Sequence, residues 1–204
     1  MPPKGERRKH QIIDTAKDMF IEKGFQSTHI GQVCEKLNIA RGTVYQYFSN
    51  KKEILYAILL SVIERIEDIF DNDDLQDFFR SNPDTDSVIR FIGKRISGCI
   101  SVLVNEPIVI KLVYKEIVGI DSEVIDKVNE ALLKIAKIIG KEVKEIKVRG
   151  IYKSNMDPDI TSSMILGGVM MLVYEYEKKN LNILDKSVIE SITDNYLRGV
   201  LANI

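Results

Sequence analysis

Apolar residues recur at helical spacing along almost the whole chain. An early segment carries them at Ile12, Ile13, Ala16, Met19 and Phe20. A later segment repeats the pattern from Ile54 to Phe70. Residues three and four positions apart share one face of a helix, whereas a half-buried strand needs strict alternation, which is nearly absent here. The sequence therefore predicts an all-α fold.

Helix-breaking residues separate the apolar segments. Gly24, Asn82-Pro83-Asp84, Glu106-Pro107 and Asn155-Met156-Asp157-Pro158 stand between them. We predict helices at 6–23, 28–36, 40–47, 51–71, 74–80, 85–105, 107–119, 121–154, 158–179 and 185–202. Gly140 and Gly150 disfavour a continuous helix over 121–154, so we expect a kink or a break there.

Composition narrows the classes of protein. With 204 residues, 45% of them hydrophobic, the chain can bury a substantial core as one large or two small domains. No apolar run approaches a membrane span, and residues 1–11 lack the apolar core of a signal peptide, so we expect a cytoplasmic protein without membrane contact. Cys34, Cys99, His10 and His29 show no metal-ligand or catalytic spacing, so we expect no metal, cofactor or enzyme activity.

Charge is unevenly distributed along the chain. Residues 1–54 carry ten Lys or Arg against six Asp or Glu, a net charge of +4, and the remainder carries 19 against 24, a net charge of −5. A basic N-terminal segment on an acidic body is typical of a small nucleic-acid-binding unit attached to another domain. We place that unit at residues 1–50 and the second domain at residues 51–204.

Residues 28–47 have the dimensions of two short helices joined by a tight turn. Thr28 can cap the first helix with its hydroxyl, and Asn38 can take the left-handed conformation of the turn. Val44 and Phe48 lie one above the other on the second helix and are predicted to be buried. The polar residues of the second helix then face outward.

The outward face has the chemistry of a helix that enters the major groove of DNA. Gly42 keeps that helix thin, and Thr43 and Gln46 can contact base edges, Gln46 by pairing with adenine. The hydroxyls of Tyr45, Tyr47 and Thr28 and the ammonium of Lys51 can contact phosphates. The alternative is a small helical core in which the aromatic residues simply pack.

The N-terminal segment resembles the DNA-binding domain of the TetR family of transcriptional regulators. The resemblance rests on Arg8, Ile12, Ala16, Phe20, Lys23-Gly24-Phe25, Thr28, Ile30, Val33, Leu37-Asn38-Ile39, Gly42-Thr43-Val44-Tyr45, Tyr47-Phe48 and Asn50-Lys51-Lys52-Glu53-Ile54-Leu55. It implies a three-helix DNA reader containing a helix-turn-helix, a larger helical domain for effector binding and dimerisation, and repression that a small molecule relieves. By position it implies that Thr28, Tyr45, Tyr47 and Lys51 contact phosphates and that Arg41, Gly42, Thr43 and Gln46 face bases.

Three residues depart from the family pattern. Ala40 stands where the family often has a capping Ser, Cys34 where it usually has Ala, and Asn38 where it often has Gly. Loss of the cap at Ala40 costs about 1 kcal/mol of helix stability.

The last two predicted helices are the natural surface for a homodimer. The first offers small and apolar residues for close helix approach, and the second repeats apolar residues every four positions. The predicted interface residues are Ser163, Gly167, Gly168, Met171, Val188, Ile192, Tyr196 and Val200. A two-fold dimer predicts a palindromic operator; the alternative is that the glycines pack within one chain.

An effector site is predicted among the helices between residues 85 and 179. The candidate lining residues are Phe91, Arg95, Cys99, Leu103, Tyr114, Ile117, Tyr152 and Met164. They are mostly apolar with a few polar groups, so we expect a small lipophilic effector such as an acyl chain, although residues of this kind belong to a packed core more often than they contact a ligand. Glu106-Pro107 through Lys115-Glu116 also resembles TetR-type regulators of fatty-acid metabolism.

Three classes of function remain at this point. The first is a dimeric repressor in which the effector changes the spacing of the two DNA readers through the helix at 51–71. The second is a small-molecule carrier or enzyme built on a helical bundle, and the third is a helical protein-interaction module. Binding to specific DNA distinguishes the first from the other two.

Overall fold

The structure, a computed structural model, describes residues 4–70, 72–114 and 121–201. Within these residues it forms ten α-helices: α1 (Lys4–Lys23), α2 (Ile30–Leu37), α3 (Arg41–Tyr45), α4 (Lys51–Ile69), α5 (Asn72–Arg80), α6 (Thr85–Asn105), α7 (Pro107–Tyr114), α8 (Ser122–Val148), α9 (Pro158–Lys179) and α10 (Lys186–Val200). Over the same residues the only strand-like pairing is an isolated antiparallel bridge between Tyr152 and Leu201. The all-α prediction is confirmed.

The ends of three helices differ from the predicted ones for local reasons. α2 begins at Ile30 because His29, not Thr28, takes the cap position, with an extended backbone. α3 ends at Tyr45, and the chain continues through a tight turn in which Tyr47 N–H donates to the Val44 carbonyl at 2.9 Å. α8 ends at Val148 because Gly150 takes a positive φ of 75°, which ends the helix as expected, while Gly140 stays within it.

The helices divide into two compact units. The first comprises Met1–Val62 and Pro107–Ala131, and the second comprises Ile63–Glu106 and Leu132–Ile204. The division falls inside α4 and α8, so each of these helices contributes to both units. The domain boundary predicted at residue 50 stays a prediction.

The first unit is built on a core beneath α1, α2 and α3. Ile12, Phe20 and Val44 are completely or almost completely buried, and the Phe20 and Phe25 rings meet edge to face at 5.1 Å between centroids. The same unit contains α7, whose Lys111 ammonium donates to the Ile21 carbonyl at 2.8 Å. This bond satisfies one of the carbonyls that the last turn of α1 leaves without a helical partner.

The second unit packs α6 against α9 and α10. Gly93 of α6 allows α10 to approach closely, because a Cβ atom at this position would lie 3.3 Å from the Thr193 hydroxyl. Gly140 of α8 likewise allows α9 to approach closely, because a Cβ atom at this position would lie 3.3 Å from the Ser162 hydroxyl. Asp157 caps α9 by accepting from the N–H groups of Asp159 and Ile160, each at 2.9 Å.

None of the described helices is by itself long and apolar enough to cross a membrane. The consecutive helices α6 and α7 meet the length and composition criteria only when they are taken together.

Candidate functional site

The connection between α2 and α3 is a tight left-handed turn at Asn38. Its φ and ψ are both 51°, a conformation that Asn adopts more readily than most residues. The Asn38 N–H donates to the Glu35 carbonyl at 3.1 Å, and the Ile39 N–H donates to the Cys34 carbonyl at 3.0 Å. The left-handed turn predicted at Asn38 is therefore present, and it closes the end of α2.

One face of α3 is buried and the other is open. Val44 and Phe48 are buried, as predicted, whereas Arg41, Gly42 and Gln46 are exposed, Thr43 is half-buried and Tyr45 is 54% exposed. A Cβ atom on Gly42 would meet nothing within 4 Å. Packing within the chain therefore does not require glycine here, whereas close approach of an external partner does.

The predicted roles of Thr28 need correction. Thr28 does not cap α2, and the residue is only 1% exposed. Its hydroxyl donates towards the carbonyls of Met19 at 3.2 Å and Gly24 at 2.9 Å. Because this hydroxyl is buried and engaged with the end of α1, it is in no position to reach a phosphate in this structure.

Lys51 is also engaged within the chain. Its ammonium donates to the carbonyls of Phe25, Gln26 and Thr28 at 2.7, 2.8 and 3.0 Å, and it lies 4.7 Å from the centroid of the Phe25 ring. A lysine ammonium has three N–H donors, so these bonds match its full capacity. In this structure Lys51 therefore supports the loop between α1 and α2, which differs from the phosphate contact that its position predicted.

Two glycines missed in the sequence shape the surface around α3. The Arg41 guanidinium lies over Gly31 of α2, where a Cβ atom would come within 3.0 Å of its Nη2. The Tyr47 hydroxyl lies beside Gly5 of α1, 3.7 Å from the position of a Cβ atom. The absence of a side chain at Gly31 leaves room for the end of Arg41, whereas a Cβ atom at Gly5 would make only an ordinary contact with the Tyr47 hydroxyl.

The second unit contains a cavity of about 50 Å³. Most of its lining is aliphatic, contributed by α4, α6, α8 and α9, with a few polar side chains and Phe70 among them. The lining residues are Ile66, Phe70, Ile92, Arg95, Ile96, Cys99, Leu103, Ile135, Ile139, Glu142, Val143, Ile146, Tyr152, Ile165, Leu166, Val169 and Tyr196. Such an apolar cavity with few polar groups suits a lipophilic molecule.

Half of the predicted lining residues lie at this cavity. Arg95, Cys99, Leu103 and Tyr152 line it. Phe91 instead stacks on Phe78 with 4.2 Å between ring centroids, Met164 is 72% exposed on α9, and Tyr114 belongs to α7 in the other unit. Ile117 lies outside the described residues.

Glu142 is the polar lining residue that sequence reasoning missed. It occupies the apolar face of α8, between Ile139 and Ile146, and a charged residue inside an apolar stripe is the signal that could have revealed it. Its Oε2 lies 3.3 Å from Arg95 Nε, and the two side chains are 9% and 7% exposed. The Arg95 guanidinium also lies 3.8 Å from the Asp74 carboxylate and 4.6 Å from the centroid of the Phe91 ring.

Burial sets the protonation of the groups around the cavity. It raises the pKa of Glu142 to about 7, because the nearby Arg95 only partly offsets the loss of hydration. It also raises the pKa of the Cys99 thiol and of the Tyr196 hydroxyl to about 12 each, and the pKa of Tyr152 well above its usual value. Near neutral pH the thiol and both phenols are therefore uncharged, and Glu142 is the group that titrates.

The outer faces of α9 and α10 carry most of the predicted dimer residues. Ser163, Gly167, Gly168 and Met171 are exposed on α9, next to exposed Ile160 and Met164. Val188 and Ile192 are half-buried, and Val200 is buried. Tyr196 turns partly inward, because its hydroxyl donates to the Tyr152 hydroxyl at 3.3 Å and its ring lines the cavity.

The raised pKa of Glu142 predicts that stability depends on pH. The unfolded carboxyl titrates near 4.5 and the folded one near 7. The Glu142 carboxyl therefore makes its full favourable contribution to the free energy of unfolding below pH 4.5. That contribution is lost as pH rises through 7, and the loss is on the order of 3 kcal/mol at most. Urea unfolding at fixed ionic strength should show that Glu142→Gln reduces the fall in stability from pH 5 to pH 8. The exposed neighbour Glu145→Gln is the control, and equal pH slopes in the two variants would contradict the assignment.

Comparison with known proteins gives concordant results. Residues 12–58 match the family model described as bacterial regulatory proteins of the tetR family. The transcriptional regulator HbdR of Aromatoleum sp. is 39% identical over 62 residues, 30% of this chain and 27% of that protein, so the chain spans about a quarter of that relative. The fatty acid metabolism regulator protein of Bacillus subtilis is 26% identical over 188 residues, 88% of this chain and 91% of that protein.

A solved structure extends the likeness over the whole fold. The transcriptional regulator FadR of Bacillus subtilis, in complex with stearoyl-CoA, superposes with a TM-score of 0.69 at 22% identity and covers 96% of this chain and 98% of its own. The family model covers α2, α3 and the turn between them, and the structural likeness covers both units. Residues 12–58 therefore match the DNA-binding domain of the tetR family of bacterial regulatory proteins, and the chain as a whole shares the fold of FadR.

Proposed function

We propose that this chain is a homodimeric repressor that reads a palindromic operator and is released from it by a small aliphatic effector. The observation that carries the proposal is the open face of α3 around Gly42, which packing within the described residues does not explain. In a helix-turn-helix this face enters the major groove. Because the reader acts on chromosomal DNA, we also propose that the protein works in the cytoplasm.

Base recognition falls to the exposed polar residues of α3 and the turn after it. Gln46 can pair with the N6 and N7 atoms of adenine, and Thr43 can donate to or accept from a base edge. Gly42 allows the backbone to approach the groove floor. Arg41, exposed at the start of α3, can pair with guanine once its guanidinium moves off Gly31.

Phosphate contacts are best assigned to exposed side chains that can extend to the DNA backbone. Tyr45 is more than half exposed, and the Tyr47 hydroxyl lies at the start of α1. Lys9 lies beside this surface, with its ammonium 5.9 Å from the centroid of the Phe48 ring, and Arg7 is exposed on the same helix. In the proposal these residues anchor the backbone of the operator, while Thr28 and Lys51 support the reader from inside.

The proposed dimer uses the exposed apolar face of α9 and its neighbour α10. Ile160, Met164, Gly167 and Met171 fall at successive turns of α9 and are all exposed. Small residues between large apolar ones allow a second helix to approach closely. A two-fold axis at this face requires a palindromic operator, because each protomer then reads one half-site.

The proposed effector occupies the cavity lined by α6, α8 and α9. Its aliphatic lining favours a hydrocarbon chain. The Bacillus subtilis relatives support an acyl chain in particular, because one is a fatty acid metabolism regulator and the other was solved in complex with stearoyl-CoA. We accordingly keep residues 1–50 as the DNA reader and residues 51–204 as the effector-binding and dimerisation domain.

A single helix offers the route for switching. α4 begins with Lys51, which holds the loop between α1 and α2, and further along it contributes Ile66 to the cavity lining. An effector that shifts α4 changes DNA affinity only to the extent that it binds the two states of the dimer unequally.

Selection of bound sequences from a random DNA pool tests the proposed function. The experiment uses the full chain at near-physiological salt and measures the mass of each bound complex. We expect a palindromic motif bound by a protein dimer. Recovery of no motif, with binding that depends only on salt, would contradict the proposal and favour the interaction-module or carrier alternative.

Replacement of Gln46 should change which sequences are bound. We expect Gln46→Ala to cost about 1–3 kcal/mol at the base pair it reads and to relax the preference there. Competition binding across operator variants measures this change, with Gln11→Ala, an exposed residue of α1, as the control. An unchanged preference would show that Gln46 does not read a base.

Lys51 and Arg41 should differ in how they affect the salt dependence of DNA binding. Arg41→Met removes a positive charge that contacts a phosphate or a base edge. The fall of log affinity with log salt should therefore become less steep, by up to about 0.9 in the slope. Lys51→Met should leave that slope unchanged and lower the free energy of unfolding by about 1–3 kcal/mol, because the hydrogen bonds from the Lys51 ammonium to three carbonyls are lost. A reduced slope in Lys51→Met would restore its role as a phosphate contact.

A further inference from the structure

The cavity of the second unit contains a buried carboxylate oxygen that lacks a hydrogen bond. Glu142 Oε2 has no hydrogen-bond donor among the described residues, although it forms an ion pair with Arg95 Nε at 3.3 Å. Its side chain is 91% buried, since 9% remains exposed, and it lines the cavity. A buried acceptor without a hydrogen bond costs about 1–3 kcal/mol of free energy, so a ligand group that donates a hydrogen bond to it is favoured.

The neighbouring groups do not supply that donor. Arg95 and Cys99 face Glu142 from α6, Tyr196 faces it from α10, Tyr152 from the loop before α9, and Asp74 acts on it from α5. The Tyr196 hydroxyl donates to Tyr152, and the Arg95 guanidinium also serves Asp74 and the Phe91 ring. Arg95 Nε lies 3.3 Å from Oε2 but forms only an ion pair with it and no hydrogen bond, so among the described residues Oε2 still lacks a hydrogen-bond donor.

The charges around Glu142 also favour a ligand with a hydrogen-bond donor over a ligand with a carboxylate. The described charges that act on it are the Arg95 guanidinium and the Asp74 carboxylate. With Glu142 ionised, one positive charge faces two negative ones. A ligand carboxylate would add a third negative charge in a poorly hydrated site, whereas a hydroxyl or ammonium group would satisfy Oε2 without that cost.

We propose that the ligand of this cavity is an aliphatic molecule whose hydroxyl or ammonium group donates a hydrogen bond to Glu142 Oε2. The inference rests on the proposed function in that it concerns the same effector cavity. It narrows the effector to a hydrocarbon chain with a donor group on the part that enters the cavity. A free carboxylate at that position is excluded by the same argument.

The size of the cavity sets the choice of probe molecules. About 50 Å³ is open, and one water molecule needs roughly 10–15 Å³ on this scale. The space holds a head group and the first methylene groups, and a longer chain requires the aliphatic side chains of the lining to move. Eight-carbon molecules that differ only in the head group are therefore suitable: 1-octanol, octylamine, octanoate and 1-methoxyoctane.

Calorimetric titration of the full chain with these four molecules tests the inference. We expect 1-octanol or octylamine to bind at least about tenfold more tightly than both octanoate and 1-methoxyoctane, the value of one hydrogen bond to a charged group. Glu142→Met should abolish this preference, and Glu145→Met, an exposed residue one turn along α8, should keep it. Glu142→Gln provides a second, more conservative variant in case the methionine variant unfolds.

The pH dependence separates the two donor groups. An ammonium ligand pairs with the ionised carboxylate, so octylamine affinity should rise as pH increases through 7, whereas octanol affinity should change less. Either preferred donor supports the inference.

Two results would overturn it. Equal affinity for all four molecules in the wild type, unchanged by Glu142→Met, would show that the ligand donates no hydrogen bond to Oε2, and it would leave the proposed aliphatic effector intact. Failure of every molecule to bind would overturn both this inference and the proposed use of the cavity. DNA selection is independent of these titrations, so it would still test the reader.

Discussion

The ammonium of Lys51 makes the interaction on which the DNA reader depends. The loop from Phe25 to Thr28 joins α1 to α2 and presents three carbonyls to the Lys51 ammonium, and the Phe25 carbonyl also accepts from the Thr28 N–H at 3.4 Å. Carbonyls at partly buried sites need hydrogen-bond donors, and a single lysine at the start of α4 donates to all three. Thr28 completes the arrangement from the other side by donating to the end of α1. Val44 and Phe48 are buried and hold α3 so that its polar face stays open.

The second unit contains an apolar cavity that its own side chains do not fill. Arg95 and Glu142 place an ion pair inside an otherwise aliphatic lining, and a buried pair of this kind contributes little to stability. A well-packed apolar pair of similar volume would serve a purely structural core at least as well. A site that must admit and orient a ligand, by contrast, needs a few polar groups in an apolar wall, and Glu142 with the Tyr152 and Tyr196 hydroxyls supplies them.

Much of this architecture could be predicted from the sequence, because helical periodicity and helix-breaking residues are local signals. The all-α fold, the left-handed turn at Asn38 and the burial of Val44 and Phe48 follow from spacing alone. The roles of Thr28 and Lys51 could not be predicted in this way, since a polar residue beside a recognition helix looks the same whether it faces DNA or a distant loop carbonyl. For the cavity, Arg95 and Tyr152 were identified by their polarity. Glu142 was missed because its significance depends on where α8 packs, and that is a tertiary property.

An aliphatic molecule in the cavity of the second unit is proposed to change how tightly the chain binds its operator. Operator affinity of the full-length protein, measured with and without saturating stearoyl-CoA and aliphatic donors, tests this claim most directly. Cys99→Phe, which fills the cavity from α6, serves as the matched control. The account predicts that at least one of these molecules lowers the affinity of the wild type about tenfold or more, and that the variant binds the operator without responding. Operator affinity that none of them changes, or an equal response in the filled variant, would contradict it.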